Sequence, residues 1–288
     1  MTDFGPRRFQ VLPVLVKNLI IINAIILLLD TVLQQTFHID LGDYLALHYW
    51  KSHYFRPWQL ITHMFMHGNF MHLFFNMFAL WMFGSMMENM WGPKRFLVFY
   101  LVCGLGGALC HMLVLGFEFS AIEKAFTLYQ QNPTVDQFSR FLTQYVANPP
   151  SMKLNALLHA WEANPSGAGF PNQAAYMINQ YLHGGYNPLI REYDPGLFDQ
   201  ATVGASGAVF GILFAFGYLF PNTSLFIIPI PFPVKAKYFV AFYALAELFA
   251  GFRNSAGDNV AHFAHLGGML FAFLMLKYWN SRNRSSFY

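Results

Sequence analysis

Three polar groups interrupt stretches that are otherwise apolar, and their residue types are those of acyl-transfer chemistry. His63, His67, His72 and Asn76, with Asn69 beside them, fall in ITHMFMHGNFMHLFFNMFAL. Gly204-Ala205-Ser206-Gly207 opens AVFGILFAFGYLF, and His262 and His265 lie in AHFAHLGGMLFAF. A serine and an imidazole brought together on neighbouring helices form a nucleophile–base pair, here Ser206 and His265. His72 and Asn76 are four residues apart and share a helix face. With the Ser206 backbone N–H they could hold a tetrahedral oxyanion. Phe210, four residues after Ser206, is on the same face and its ring could orient the imidazole.

The elements that must position these groups are membrane spans. Charged residues make up 11% of the 288 residues and aromatic ones 19%, against about 25% charged in an ordinary soluble domain. So few charges cannot cover a soluble globule, and so much hydrophobicity excludes disorder. A net charge of +3 without a basic run leaves no nucleic-acid footprint. Spans of about 20 apolar residues are expected at Val14–Leu33, Thr62–Met87, Phe96–Phe117, Val203–Phe220, Val234–Phe252 and Val260–Tyr278. The first reads as a retained span and not a removed signal peptide. Of the 17 Lys and Arg, ten (Arg7, Arg8, Lys17, Lys94 and Arg95 among them) fall on one side. That asymmetry places both termini in the cytoplasm.

Fifteen steps separate Ser206 from Pro221, about 22 Å of helix against a hydrocarbon core of roughly 30 Å. A helix anchored at the cytoplasmic face would therefore begin below the outer surface, with Ser206 at its submerged, positively polarised N-terminus. His265, one to two turns into the last span, falls at a matching depth. Gly204, Gly207 and Gly211 equally fit a helix-packing face, and Gly267-Gly268 with Ala272 would pack the last span against it. Asp258 is seven residues before His265 and Glu247 is on another span, so the expectation is a dyad without an acid. His63 and His67 read as loop anchors. His111, His159 and His183 show no partners, and Cys103 and Cys110 read as lipid-facing or packing residues.

The segment 117–200 differs in kind. Thr134 and Gln137 form a capping-box pattern ahead of Phe138, Leu142 and Tyr145 at helical spacing. SMKLNALLHAWEANP and NQAAYMINQYLHGG predict two further helices, stopped by Pro165 and Gly184-Gly185. The chain thus divides into three N-terminal spans with an interfacial loop at 34–60 (residues 1–116), a helical extramembrane insertion (117–200) and three C-terminal spans (201–288).

Together HMFMHGNFMHLFFN (63–76), GASGAVFG (204–211) and AHFAHLGG (261–268) resemble the rhomboid family of intramembrane serine proteases. The resemblance implies an all-α, six-span membrane bundle with Ser206 as nucleophile, His265 as general base and His72 and Asn76 as oxyanion-hole side chains. It gives His67 a supporting place, leaves His262 lining the cavity, and matches Glu88 to an acidic residue at the cytoplasmic end of the second span. It further implies a bulky, aromatic fifth span as a lateral gate. The sequence departs from the family at Trp58-Gln59, where an arginine often follows the tryptophan, at Phe210, where tyrosine is frequent, and in the length of the insertion.

The expected function is cleavage of peptide bonds in or near transmembrane segments of other membrane proteins. Partners would be those substrates and the lipid bilayer, with no cofactor, no metal and no nucleic acid. The expected location is a bacterial cytoplasmic membrane. Two alternatives stand beside this: a polyhistidine metal-dependent membrane hydrolase or desaturase using His63, His67, His72, His111, His262 and His265, and a non-catalytic membrane chaperone of the same fold.

Overall fold

The computed structural model describes residues 9–146, 152–187, 192–226, 232–253 and 261–284. Arg7 and Arg8, which enter the charge asymmetry, and Asp258, set aside as an acid for His265, lie outside the described residues. The fold is an all-α membrane bundle. Helix α1 (Val14–Phe37), α2 (Phe70–Trp91) and α3 (Pro93–Gln131) are each long and apolar enough to cross a bilayer. After α4 (Val135–Tyr145), α5 (Met152–Ala163) and α6 (Phe170–His183) come α7 (Ser206–Leu219), α8 (Ala236–Arg253) and α9 (His262–Arg284).

Helix α1 is inside-out relative to a soluble helix. Ile21, Ile22, Ile25, Leu28 and Leu29 are exposed while Asn23 and Asp30 are buried, the pattern expected where lipid is the solvent. Both polar groups find partners within the protein, although Asn23 Oδ1 is buried without one. Asn23 Nδ2 donates to Leu19 O at 2.8 Å, and Asp30 accepts the Leu41 N–H at 3.1 Å. The N-terminus of α1 follows Pro13, which offers no side-chain cap. Glu88 of α2 supplies one instead, its two carboxylate oxygens accepting the Leu15 and Val16 N–H groups at 3.0 and 2.8 Å. A carboxylate there meets unpaired donors and the positive end of the helix dipole.

The second span is not the continuous helix expected from Thr62. A helical turn at Gln59–Thr62 continues as one 3₁₀ turn over His63–Phe65, and Met66 is then extended. Asn69 starts a new helix, its Oδ1 accepting the His72 N–H at 2.8 Å. His63 and His67 therefore precede the helix that carries His72 and Asn76. Further along, α2 widens into a π segment at Leu80–Gly84.

The third helix overruns its expected end at Phe117 by fourteen residues. No glycine or proline interrupts residues 117–131, so the helix continues on good helix formers. Its total of 39 residues corresponds to about 58 Å. The overhanging turns contribute Phe119, Ile122, Phe126 and Tyr129 to a second apolar core, closed by Phe138 and Leu142 of α4, Leu157 and Trp161 of α5, and Ile178 and Leu182 of α6. Thr134 Oγ1 caps α4 through the Gln137 N–H, and Gly184 ends α6 with positive φ. Among the described residues two short antiparallel pairs interrupt the helical pattern, Gly185–Asn187 with Glu192–Asp194 and Ser224–Leu225 with Val234–Lys235.

Helix α7 is packed against α3 and α9 through glycines. A Cβ on Gly268 would lie 1.9 Å from Gly207 O, and one on Gly107 would lie 2.5 Å from Ala264 O. Backbone therefore meets backbone, as small-residue contacts permit in membranes. Cys103 packs against Gly211 and Cys110 against Gly267, which makes both cysteines packing residues. In contrast, α8 buries only Ala236 and Val240 and presents Tyr238, Phe242, Leu245, Phe249 and Phe252 outward.

Candidate active site

Ser206 is the first residue of α7, and the backbone that delivers it is pinned on both sides. The Thr202 and Leu47 backbones exchange hydrogen bonds at 2.9 and 2.8 Å, and the Gly204 N–H donates to His63 O at 3.0 Å. Gly204 has φ +126°, and a Cβ there would stand 2.8 Å from His72 Nε2 and 3.6 Å from Ser206 Oγ. Only glycine keeps this conformation and leaves the space between the serine and His72 open.

His265 is in the first turn of α9, and its Nε2 lies 2.9 Å from Ser206 Oγ. The glycine contacts between α7 and α9 set this distance. Phe210, one turn after Ser206, lies flat on the imidazole with ring centroids 4.1 Å apart and planes 3° from parallel. Tyr243 of α8 stacks on Phe210 in turn, with ring centroids 5.2 Å apart. Stacking fixes the plane of the imidazole in which its two nitrogens point.

On the far nitrogen the structure departs from the expected dyad. Glu247 Oε2 lies 2.9 Å from His265 Nδ1 and 2.6 Å from His262 Nδ1. All three side chains are nearly buried, 10–13% exposed. Sequence reasoning set Glu247 aside because it is on another span. Its signal was chemical: a lone acid in the apolar stretch VAFYALAELFAGF, next to a span with two histidines, needs partners inside a membrane. His262 contacts this carboxylate. The donor atoms of Glu247, His262 and His265 lie within 4.8 Å of one another, an arrangement among the described residues that could take a cation. His63 and His111 are committed elsewhere, to Gln59 O at 2.8 Å and Thr202 Oγ1 at 2.9 Å. His111 thus has a partner that the sequence did not reveal. His159 meets Glu162 and His183 meets the edge of Phe198, both in the 117–200 segment.

His72 and Asn76 occupy successive turns of α2. Asn76 is buried, and its Nδ2 donates to His72 O at 3.0 Å, leaving the second amide hydrogen for another acceptor. His67 is buried with its ring edge-on to His72 at 5.0 Å, so it buttresses that ring. Behind Ser206 is a cavity of about 10 Å³ lined by His63, His111, Thr202, Gly204 and Ser206 among others. That is room for one water molecule among polar partners.

The loop ahead of α2 is anchored by the residue that breaks the family pattern. Gln59 is fully buried. Its Oε1 accepts from the Arg56 and His48 N–H groups at 3.1 and 3.3 Å, and its Nε2 donates to Tyr54 O at 2.9 Å. An amide, which both donates and accepts, gathers this loop from position 59, and the Arg56 guanidinium adds bonds to His53 O and Phe55 O at 3.1 and 2.8 Å.

A family profile described as Rhomboid domain matches residues 54–121 and 172–281, more than half of the chain. Among curated relatives, an uncharacterized mitochondrial rhomboid protein of Schizosaccharomyces pombe is 27% identical over 236 residues, 79% of this chain and 53% of the relative. The rhomboid protease GluP of Bacillus subtilis is 42% identical over 52 residues, 18% of this chain and 10% of the relative. The mitochondrial RHOMBOID-like protein 6 of Arabidopsis thaliana is 40% identical over 58 residues, 20% of this chain and 19% of the relative. The matches span about half or less of each relative's length.

Proposed function

The chain belongs to the rhomboid family, and from that premise we propose that it is an intramembrane serine endopeptidase acting through Ser206 and His265. The single observation that carries this reading is the 2.9 Å approach of His265 Nε2 to Ser206 Oγ. In the first step the Ser206 hydroxyl proton passes to Nε2 while Oγ bonds the carbonyl carbon. The carbonyl electron pair moves to oxygen, forming the tetrahedral oxyanion. The free N–H groups at the start of α7 and the side chains of His72 and Asn76 stabilise that charge. The proton then goes to the leaving amine as the C–N bond breaks, and water completes hydrolysis of the acyl-enzyme by the same route.

The substrate class follows from burial. A transmembrane helix satisfies its own backbone groups and hides its carbonyls, so the cleaved segment must unwind locally. Helix-weakening residues near a small side chain at the cleaved bond are the expected preference. The loosely packed, aromatic α8 supports a lateral route for entry, with displacement of that helix admitting substrate.

In this reading α1, α2, α3, α7, α8 and α9 are six spans, and α4 to α6 with the overhang of α3 form an extramembrane insertion between the third and fourth. The Lys and Arg asymmetry puts both termini on one side, the cytoplasmic side in a bacterial cytoplasmic membrane. The relatives' names include mitochondria as well as Bacillus, and the charge pattern serves either setting. The test is reconstitution of the purified chain with a fluorogenic transmembrane substrate. Cleavage by the wild type and its absence in Ser206→Ala and His265→Ala support the reading. Equal cleavage in all three refutes it.

A further inference from the structure

We propose that Glu247 is a positioning residue for the base, so that Ser206, His265 and Glu247 work as a relay and His262 holds the carboxylate as its second donor. This rests on the endopeptidase reading and adds to it a member from α8.

The hydrogen-bond directions require one tautomer. An ionised carboxylate only accepts, so the 2.9 Å contact with Glu247 Oε2 puts a hydrogen on His265 Nδ1. In the neutral ring the other nitrogen, Nε2, is then the acceptor, and it is the one that faces Ser206 Oγ at 2.9 Å. The opposite tautomer would point a hydrogen at the serine and could not take its proton. Glu247 therefore selects the reactive form.

The carboxylate is itself held. His262 Nδ1 approaches the same oxygen at 2.6 Å from three residues earlier on α9, so two donors on one helix fix one acceptor on another. The three side chains are nearly shut off from solvent. An imidazolium formed during attack is stabilised more strongly by a neighbouring carboxylate there than in water. Phe210 sets the ring's plane and Glu247 sets its rotation and tautomer within that plane. The carboxylate stays ionised throughout. During acylation the proton moves from Ser206 Oγ to His265 Nε2 and on to the leaving nitrogen, and during deacylation from water to Nε2 and back to Ser206 Oγ.

The experiment compares wild type, Glu247→Gln and Glu247→Asp with Ser206→Ala as the inactive reference, in detergent and in vesicles. Glu247→Gln is isosteric but can turn its amide N–H toward Nδ1 and favour the wrong tautomer. The proposal expects kcat to fall about 10²- to 10⁴-fold, in the range of the corresponding change in a triad. KM and the thermal unfolding midpoint are expected to stay within error, and labelling of Ser206 by a fluorophosphonate to slow in parallel with kcat. Glu247→Asp is expected to restore part of the loss. A Glu247→Gln enzyme with wild-type kcat overturns the relay while leaving Ser206 and His265 in their roles. Loss of wild-type activity on chelation, restored by zinc, also overturns it and gives the three side chains to a metal. The ¹⁵N NMR spectrum of the His265 ring in the wild type reads the tautomer without turnover or a variant. A neutral ring protonated on Nδ1 supports the relay and one protonated on Nε2 refutes it, even if Glu247→Gln fails to fold or the chain cleaves nothing.

Discussion

Phe210 lies flat against the imidazole of His265, 4.1 Å between centroids and 3° from parallel. The contact holds the base by its face, where a tyrosine in the same place would add a hydroxyl. Stacked pairs contribute about 0.5–1.5 kcal/mol beyond burial. Phe210→Leu, which keeps the site apolar, is expected to lower kcat by roughly 3- to 10-fold, and Phe210→Tyr to retain activity. Steady-state cleavage of a transmembrane substrate measures both. Unchanged kcat in Phe210→Leu would show that packing elsewhere orients the ring.

The glycine contacts between α7 and α9 yield a prediction about folding. A Cβ on Gly268 would stand 1.9 Å from Gly207 O, and the neighbour is backbone that cannot rotate away. Gly268→Ala is expected to lower the thermal unfolding midpoint in detergent, with the cost of about 1–3 kcal/mol or more typical of overpacking. It is also expected to separate Ser206 from His265 and abolish cleavage. Gly169→Ala, where a Cβ meets nothing within 4 Å, is the control and should leave both unchanged.

Glu88 provides a second structural prediction. Its carboxylate is buried and takes the first N–H groups of α1, so its removal strands donors at a helix end. Glu88→Ala is expected to destabilise by roughly 1.5–3 kcal/mol, the value of a hydrogen bond to a charged group. Hydrogen exchange at Leu15 and Val16 should accelerate more than elsewhere in α1. Equal protection in the variant would contradict the cap.

The parts of this molecule legible from sequence are those that depend on local spacing. Phe210 follows Ser206 by one turn, so its place on the same face required only helix geometry. The caps at Thr134 and Gly184 are likewise local chemistry. Glu247 was not legible as a partner of His265 because α8 is apolar on all sides, and nothing in its pattern fixes which face turns toward α9. The packing of Gly217 against Val240 and the stack of Tyr243 on Phe210 settle that rotation, and both are contacts between helices. The break at Met66, which separates His63 and His67 from the His72 helix, follows from Asn69 claiming the His72 N–H. A continuous apolar pattern conceals such a restart. The overrun of α3 escaped for the opposite reason: hydropathy falls after Phe117, but helix propensity does not.

His48 gives the chain a predicted pH dependence outside the spans. Burial holds its imidazole below the ordinary histidine value of 6.5, against the opposing hydrogen bonds to Ala46 and Gln59. The folded state then binds fewer protons than the unfolded one as pH falls below 6.5. Stability from this site is complete above that value and is lost as pH drops toward the lowered folded value. Thermal midpoints at pH 7.5 and 5.5 test this, and His48→Gln is expected to show a smaller drop than wild type. An equal drop would assign the dependence to other groups.

Whether Ser206 is a nucleophile made reactive by His265 is read most directly by covalent labelling. The purified chain is treated with a fluorophosphonate probe and the modified peptide located by mass spectrometry, beside Ser206→Ala and His265→Ala proteins with unaltered thermal midpoints. A single adduct on Ser206 is expected in the wild type and none in either variant. An adduct on another residue, or labelling of Ser206 at the wild-type rate in His265→Ala, would contradict those roles.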